Sequence, residues 1–481
     1  MFFLIFLPAL IAIIVLCVKG DESAFRNVYL PVLILVPQVF YSEISGLPSL
    51  STASAAIFPI AIFCAVKYIR FWSWSWMDIW IFLFIFCCCV SEHYNTAHIE
   101  GKERLSLILL IDMVFKVAFP YLLAKALIHR KGKSDLYASR IVILLVICVI
   151  ISLYEMRFVT NPFVAVMKPF FPGQGEDWPT LYRYGLVRIG GPFVQTILFG
   201  IALSIGFILN YWLTRTGQWG HSHRAIPKTL FHRWIKSLNF LFSFAWLVPR
   251  SSYKELNVET SPIPVSKGWF FAGIILLGLL MTISRGPLVG AASGILFATA
   301  GYSRRHTWAL GWRLITFFLA LIFGYIVYRY YAEVSATLSP DMTATAAYRA
   351  KLFESYYQAI EQKPFLGWGY TTWPHDAALQ SVDNEYLFLI LKHGLLGLAS
   401  FLFVIFWICV RLARQGLRFD DELRIEESLC YTLLGCIVAI AVSIITVFLG
   451  LQIQPLFFLL MGWAEGFMVV NRPSRRLRVR F

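Results

Sequence analysis

The sequence predicts an all-α polytopic membrane protein with about 12–14 transmembrane helices and a large, partly helical periplasmic loop. Of its 481 residues, 58% are hydrophobic and only 14% are charged, whereas soluble domains are about a quarter charged. Apolar runs near 20 residues long recur along the whole chain, and a run of that length spans a bilayer. Many of the sixteen Trp residues stand at the ends of these runs, where interfacial aromatic rings concentrate.

Thirteen candidate spans follow from the apolar runs. They are residues 2–18, 28–42, 52–66, 76–91, 105–127, 140–155, 191–213, 268–284, 287–302, 312–331, 385–410, 427–449 and 453–470. The second and third are short, and the stretch Gly46–Ser54 between them also fits a re-entrant segment, so twelve or fourteen spans remain open. The first residues lack the positive charge and cleavage site of a signal peptide, so we expect them to form the first span.

Basic residues accumulate in alternate connections between the spans, which predicts the orientation. The basic clusters are Lys67 and Arg70, Arg130–Lys133, the loop 214–267, Arg304 and Arg305, Arg411–Arg424, and the tail after Arg472. By the positive-inside rule these connections are cytoplasmic, so the C-terminus is predicted inside a bacterial inner membrane. The net charge of +15 thus reflects helix orientation, and we predict no nucleic-acid partner.

The loops divide the chain into five predicted regions. They are spans 1–190 with a periplasmic loop at 156–190, spans 191–331 with a cytoplasmic loop at 214–267, a periplasmic catalytic loop 332–384, spans 385–470, and a basic cytoplasmic tail 471–481. All nine cysteines lie inside apolar runs without a C-x-x-C pair, so neither a disulfide framework nor a zinc site is expected. We predict no metal and no cofactor.

The periplasmic loop carries the most informative patterns. Residues 344–362 have helical spacing, and the helix is predicted to end at Lys363 because a residue before proline disfavours the α conformation. A Gly-punctuated turn follows at 365–370. The polar run Ser381–Leu387 then opens the next span, which Lys392–Gly397 interrupts.

Three arginines are predicted at the outer ends of spans or in the outer loop, where positive charge is disfavoured. They are Arg188, Arg285 and Arg349. A binding role competes with a plainer one, since an arginine at a span end commonly reaches out to lipid headgroups. Within the fifth span, Lys116 is predicted either to line a cavity or to pair with Asp112 one turn earlier.

Four of these pieces, in this order, resemble the O-antigen ligase and O-antigen polymerase family of bacterial inner-membrane glycosyltransferases. The pieces are Arg188 with Gly190–Pro192, Ser284–Gly286, Arg349 through Pro364–Gly369, and Asp383–Leu387 through Gly394 and Gly397. The chain departs from the family pattern at two places. Asp383 stands where the ligases usually have His, and Val194–Gln195 stands where Pro-Asn is usual.

The resemblance implies a donor glycan on a polyprenyl pyrophosphate and an attacking acceptor hydroxyl. Arginines suit the leaving pyrophosphate because their planar fork pairs with phosphate oxygens, which assigns Arg188, Arg285 and Arg349 to pyrophosphate. Asp383 is the candidate base, with Glu385 and His375 in reserve. The candidate sugar platforms are Trp178, Tyr182, Trp368, Tyr370 and Trp373.

Each assignment has an alternative. Asp383 would also serve as a helix N-cap, a position that Asp favours, and the loop aromatics would also serve as interfacial anchors. His393, inside a span, is more often a packing histidine than a base.

The predicted function is a periplasm-facing, metal-independent polymerase of O-antigen or exopolysaccharide, within lipopolysaccharide or exopolysaccharide biosynthesis. The expected partners are an undecaprenyl-type pyrophosphate glycan donor, a glycan or lipid A core acceptor, the lipid bilayer, and other polysaccharide-assembly membrane proteins. The alternatives are an O-antigen ligase that transfers glycan to lipid A core or protein, and a membrane transporter. A purely structural scaffold has no need of outward arginines beside an acidic motif.

Overall fold

A computed structural model of the protein describes residues 3–43, 46, 48–68, 70, 72–128, 133–174, 181–219, 265–302, 310–320, 322, 352, 354–375, 381–417 and 428–470. Within these residues the protein is almost entirely helical. The helices are α1 (Phe3–Lys19), α2 (Asp21–Ala24, a π-helical turn Phe25–Tyr29 and Leu30–Leu35), α3 (Thr52–Tyr68), α4 (Trp76–Thr96), α5 (Leu105–Leu127), α6 (Ser134–Phe158), α7 (Pro162–Met167), α8 (Thr196–Arg215), α9 (Val265–Met281), α10 (Arg285–Ala298), α11 (Leu310–Ala320), α12 (354–362), α13 (Glu385–Leu417), α14 (Ser428–Ser443) and α15 (Ile453–Val470).

The only strands in the described part of the chain are two short antiparallel hairpins. Tyr41–Ser42 (β1) pairs with Leu50–Ser51 (β2), and Tyr182–Arg183 (β3) pairs with Leu186–Val187 (β4). The all-α prediction is therefore confirmed. The possible re-entrant stretch before α3 is occupied by the first hairpin.

Five helices are long and apolar enough to cross a membrane. They are Trp76–Thr96, Leu105–Leu127, Ser134–Phe158, Thr196–Arg215 and Glu385–Leu417, and six shorter apolar helices accompany them. Apolar side chains such as Ile14, Ile150 and Phe406 are more than half exposed, as expected for an outer surface that faces lipid. Each of the thirteen predicted spans overlaps a helix of the described residues, whereas the number of membrane crossings stays a prediction.

Several helix ends differ from the prediction for local reasons. Helix α2 ends at Leu35 because Val36 precedes Pro37 and adopts an extended conformation. Helix α8 begins only at Thr196, after a 3₁₀ turn at Gly191–Phe193. The predicted span 427–449 was too long, since α14 ends at Ser443 and the chain continues through turns to Gln452.

Small residues bring α10 and α14 together. Gly286, Gly290 and Gly294 recur every fourth residue on α10, so they lie on one face of the helix. A side chain at Gly290 would meet Ser443 and Ala439, and one at Gly294 would meet the backbone of Gly435. This spacing matches the small-residue packing of membrane helices, which lets backbones approach closely. The packing fixes the start of α10 beside the turns that follow α14.

Candidate active site

Helix α13 is broken at Gly394, and the break creates the framework of the site. Gly394 has φ 64° and ψ −165°, a conformation open essentially to glycine alone. Lys392–Gly397 is the stretch that breaks the apolar run of this span in the sequence, and the helix is broken within the same stretch. Carbonyl and amide groups of the broken turn are thereby freed for other partners.

Those partners come from the Gly-punctuated turn after α12. Trp368 N and Gly369 N donate to the carbonyls of Leu391 (3.0 Å) and Lys392 (2.7 Å). In return, Leu395 N and Leu396 N donate to the carbonyls of Pro364 (2.7 Å) and Phe365 (3.2 Å). The two glycine motifs of the sequence, 364–369 and 394–397, therefore form one hydrogen-bonded unit.

The C-terminal end of α4 holds this unit in place through three polar side chains. Ser91 Oγ donates to the carbonyls of Leu366 (2.5 Å) and Lys392 (3.0 Å), and Asn95 Nδ2 donates to the carbonyl of Gly367 (3.1 Å). The buried Glu92 accepts hydrogen bonds from Tyr370 N and from Thr371 Oγ1. Sequence reasoning missed all three residues, although a polar run at the end of an apolar helix was a visible signal.

A cavity of about 450 Å³ opens beside this unit, between α4, α5, α13 and the turns after α14. This volume lies in the usual range for small-molecule sites, about 300–1,000 Å³. Its polar lining residues are Asp112, Lys116, Tyr370, His375, Ser381, Glu385, Lys392, His393 and Gln454. The predicted pairing of Lys116 with Asp112 is confirmed, at 2.7 Å, and the pair lies in the cavity wall.

Glu385 is the buried carboxylate of this cavity. As the first residue of α13 it donates its backbone N–H to the carbonyl of Ile444 (3.0 Å), and its Oε2 accepts from Leu449 N (2.6 Å). The turns 444–449 after α14 therefore wrap the start of α13 and orient the carboxylate. The early end of α14, which the sequence did not reveal, makes these contacts possible.

Asp383 lies two residues before Glu385 and is half-buried. Its Oδ1 accepts a hydrogen bond from Ser381 Oγ (2.7 Å). The N-cap of α13 is Asn384, whose Oδ1 accepts from Tyr386 N (3.0 Å) and Leu387 N (3.1 Å). Asn384 and not Asp383 therefore caps the helix. Ser381 and Glu385 line the cavity, so Asp383 lies next to its wall.

The predicted aromatic platforms separate into two groups. Tyr370 and Trp373 line the cavity, and the ring of His375 lies 3.7 Å from that of Trp373. Trp368 instead donates its Nε1–H to the carbonyl of Ala359 (2.8 Å), which fixes it against α12. Tyr182 is exposed on the hairpin β3–β4, and Trp178 lies outside the described residues.

Arg188 lies at the link between α9 and α10. Its Nε donates to the carbonyl of Thr282 (3.0 Å) and its Nη2 to Ser284 Oγ (2.8 Å). Burial, together with the nearby Arg183, lowers the pKa of Arg188 to about 10, so it stays cationic at neutral pH. Two of its five N–H groups thus hold the link.

Arg285 begins α10 and is exposed, with Nη2 2.5 Å from the hydroxyl of Tyr184. Neither Arg188 nor Arg285 is among the described residues that line the cavity. The link is nevertheless adjacent, because Gly286 packs against Thr446 in the turns that orient Glu385. Arg349 lies outside the described residues.

A second buried carboxylate, Glu155 at the end of α6, organises the loop that carries Arg188. It accepts hydrogen bonds from Gly190 N (3.2 Å) and Gly191 N (2.9 Å), and from Asn161 Nδ2 (3.3 Å). Sequence reasoning missed this residue, which stood among ordinary polar residues at a predicted span end.

A second cavity of about 350 Å³ adjoins the first. The two share Lys116 and Leu451, and the second extends past Gln38, Ser54 and Gln174 toward the hairpin β1–β2. Its wall is also mixed in polarity, although it lies within a helical bundle. Lys116 and Leu451 thus form part of the wall of both cavities.

Comparison with known proteins identifies the segment that contains most of this framework. Residues 270–402 match the family model described as O-antigen ligase. The segment includes the α9–α10 link, the turn 364–370, the cavity carboxylate and the broken part of α13. No curated protein matches the chain. The match confirms the resemblance to the O-antigen ligase and polymerase family, and the chain is an integral membrane enzyme of the glycan-transfer type.

Proposed function

We propose, from the O-antigen ligase segment at residues 270–402, that this protein joins polyprenyl-pyrophosphate-linked glycan units as a polymerase on the periplasmic face of the membrane. The observation that carries the proposal is the cavity beside the two interlocked glycine motifs. It combines aromatic faces, a buried carboxylate and two lysines in one space. Polar groups together with aromatic rings suit a sugar, which presents both hydroxyls and apolar ring faces.

The proposed reaction is a direct displacement at the anomeric carbon. The bond from that carbon to the pyrophosphate oxygen breaks, and a bond to the acceptor hydroxyl oxygen forms. The hydroxyl proton passes to a base, and polyprenyl pyrophosphate leaves with the bonding electron pair. The site must therefore supply one base and several cationic donors to the leaving group.

Glu385 and Asp383 are the two candidates for the base. Glu385 faces the cavity and uses Oε2 to accept from Leu449 N, so Oε1 is the oxygen available to an acceptor hydroxyl. Asp383 occupies the position of the family His and is placed at the cavity wall by Ser381. His375 lines the cavity as a third titratable group. We favour Glu385, because a base must reach its proton within hydrogen-bond distance.

The pyrophosphate is proposed to meet the arginines at the rim of the cavity. Arg285 is exposed at the α9–α10 link, and Arg188 beside it has N–H groups beyond the two that bind Thr282 and Ser284. Arg349 completes the proposed set. No metal or cofactor enters this mechanism.

The second cavity supports a polymerase, because joining two lipid-linked glycans needs room for both. The two cavities meet at Lys116 and Leu451. The match to the O-antigen ligase family favours the second candidate, transfer to a lipid A core or protein.

The test is release of polyprenyl pyrophosphate by the purified protein in lipid nanodiscs, supplied with glycan-linked donor. Release with donor alone, together with longer lipid-linked glycans, is expected of a polymerase. Release only after addition of lipid A core or protein acceptor would make it a ligase. No release under either condition from folded protein would contradict glycan transfer and favour a transporter.

Three variants connect this assay to the site. Arg349→Ala, Asp383→Asn and Glu385→Gln are measured beside Lys102→Met, an exposed control at a loop beyond α4. A base contributes about 10²–10⁴-fold to a rate, so we expect a loss of that order in Glu385→Gln. A comparable loss of rate in Asp383→Asn alone would identify Asp383, at the position of the family His, as the base.

A further inference from the structure

Lys392 is a lysine of the cavity wall, and no acidic side chain of the described residues lies at contact distance from its ammonium group. It is only 5% exposed. Among the described residues its ammonium group has no hydrogen-bond or salt-bridge partner, and its nitrogen lies over the rings of Phe388 (3.6 Å) and Tyr370 (3.8 Å). Ring faces stabilise a positive charge by cation–π attraction but leave its hydrogen-bonding N–H groups unused.

The neighbouring acidic groups are engaged elsewhere. Glu92 accepts from the turn at Tyr370 and Thr371, and Glu385 accepts from Leu449 N. Lys116, the other cation of the cavity wall, is paired with Asp112 at 2.7 Å. Lys392 is therefore the cation that the described cavity wall leaves for a ligand.

A second unpaired nitrogen lies next to it in the chain. His393 is 2% exposed and lines the cavity, and its Nδ1 has no hydrogen-bond partner within the described part of the chain. Buried polar nitrogens are normally hydrogen-bonded. Two adjacent residues of α13 that line the cavity thus carry side-chain nitrogens without a hydrogen-bond partner among the described residues.

The spacing along α13 separates this cation from the carboxylate. Glu385 and Lys392 are seven residues apart, which places them on nearly the same helix face and about 10 Å apart along the axis. The cavity is thus lined by a carboxylate and by a lysine two helical turns further along α13, so one bound molecule could contact both.

We infer that Lys392 is the cationic contact of an oxyanion-binding site inside the cavity, which takes a phosphate or carboxylate group of the substrate. The inference rests on the proposed function for the identity of the molecule that carries the oxyanion. Two sources have this chemistry: the pyrophosphate of the lipid carrier and the carboxylate of an acidic sugar. The aromatic rings would hold the ammonium group in place, and the oxyanion would receive its N–H groups as charge-assisted hydrogen bonds.

The test measures binding by calorimetry to folded protein in nanodiscs, with three probes: inorganic pyrophosphate, D-glucuronate and D-glucose. Wild type is compared with Lys392→Met, Lys392→Gln and Lys392→Arg. Lys102→Met is the matched control, because it removes the same charge at an exposed position. Thermal unfolding of each variant establishes that it is folded.

We expect wild type to bind at least one oxyanion more tightly than glucose. We expect Lys392→Met and Lys392→Gln to bind that oxyanion at least tenfold more weakly than wild type. Lys392→Arg is expected to keep most of the affinity, and Lys102→Met is expected to bind like wild type. If the neutral variants lose affinity for pyrophosphate, the oxyanion is the pyrophosphate of the lipid carrier. If they lose affinity for glucuronate, it is the carboxylate of an acidic sugar. Either neutral variant alone suffices if the other does not fold.

Unchanged oxyanion affinity in a folded neutral variant, or no oxyanion binding by wild type, would overturn the inference. Because binding is measured without transfer, its failure is distinct from failure of the proposed function. If the protein bound pyrophosphate through Lys392 but released no polyprenyl pyrophosphate, the oxyanion site would be supported and the proposed polymerase activity would be contradicted.

Discussion

At the scale of single residues, buried carboxylates organise this protein by accepting backbone N–H groups. Glu92 binds the turn after α12, Glu155 binds the loop before Arg188, and Glu385 binds the turns after α14. Each connects segments far apart in the chain. Hydrogen bonds to charged groups contribute more than neutral ones, about 1.5–3 kcal/mol each, so these residues keep loops in place next to a cavity.

Glu92→Gln tests the role of this anchor. The substitution replaces an acceptor oxygen with an NH₂ donor that faces Tyr370 N or Thr371 Oγ1. We expect the turn to loosen by about 1–3 kcal/mol, which appears as at least about fivefold faster hydrogen exchange at residues 369–371. Glu103→Gln, at an exposed position beyond α4, is the control. Unchanged exchange in Glu92→Gln would show that the turn does not depend on this carboxylate.

The pattern of residue types predicted part of the site and could not predict the rest. Arg188, Asp383 and Glu385 were visible because charge is rare beside apolar runs. Ser91 and Glu92 act on residues more than 270 positions later in the chain, and a contact of that kind leaves no periodic signal in a sequence. Capping of α13 was the alternative role considered for Asp383, and the structure gives the cap to Asn384 because the helix begins one residue later.

At the scale of elements, the broken helix α13 and the turn 364–369 act as one unit. Gly394 has to adopt its conformation, and a side chain there would meet the backbone of Phe365 and Gly367. The break also turns the carbonyl of Lys392 to the N–H of Gly369. The turn 364–369 thus shapes the part of α13 that carries Lys392.

Gly394→Ala tests this coupling. We expect a cost of about 1–3 kcal/mol from the strained backbone, a lower midpoint of thermal unfolding, and loss of most glycan transfer because the turn is displaced.

Gly273→Ala is the matched control, since Gly273 is an exposed helical glycine with open space around it. Alanine there is expected to stabilise α9 by about 0.5–1 kcal/mol. If Gly394→Ala unfolded no earlier than wild type and retained full transfer, the break would not be required for the site.

Apolar periodicity predicted the existence of the helices well and their ends poorly. Runs of apolar residues are set by the thickness of the bilayer, so the helices were recognisable one by one. Their ends depend on single residues such as Pro37 and on tertiary partners of the turns. The early end of α14 at Ser443 is the most consequential case, because the released turns bind Glu385.

At the scale of the whole molecule, the site lies at one end of the helical bundle and a buried ionic cluster lies at the other. Helix α4 runs between them: Asp78 near its start pairs with Lys125 at 2.6 Å, and Glu92 near its end accepts hydrogen bonds from the turn after α12. Basic loops are predicted at the Asp78 end. By the positive-inside rule, we therefore predict that the site end faces the periplasm.

Cysteine labelling in spheroplasts tests this orientation. Glu100 lies at an exposed loop position at the site end. Lys19 is exposed at the end of α1, next to the buried Asp21 at the end of the bundle that is predicted to be cytoplasmic. We expect a membrane-impermeant maleimide to label Glu100→Cys and to leave Lys19→Cys unlabelled until the membrane is permeabilised. Wild type measures the background from the native cysteines. The reverse pattern would place the site on the cytoplasmic face.

The central claim is that glycan transfer takes place in the cavity that Glu385 lines, with Glu385 as the base. The most direct measurement is the initial rate of polyprenyl pyrophosphate release from glycan-linked donor in nanodiscs, for wild type, Glu385→Gln and Glu361→Gln. Glu361 is an exposed glutamate on α12, within the same family segment. We predict a loss of at least 100-fold in Glu385→Gln and a rate within twofold of wild type in Glu361→Gln. A folded Glu385→Gln protein that releases polyprenyl pyrophosphate at the wild-type rate would contradict the claim.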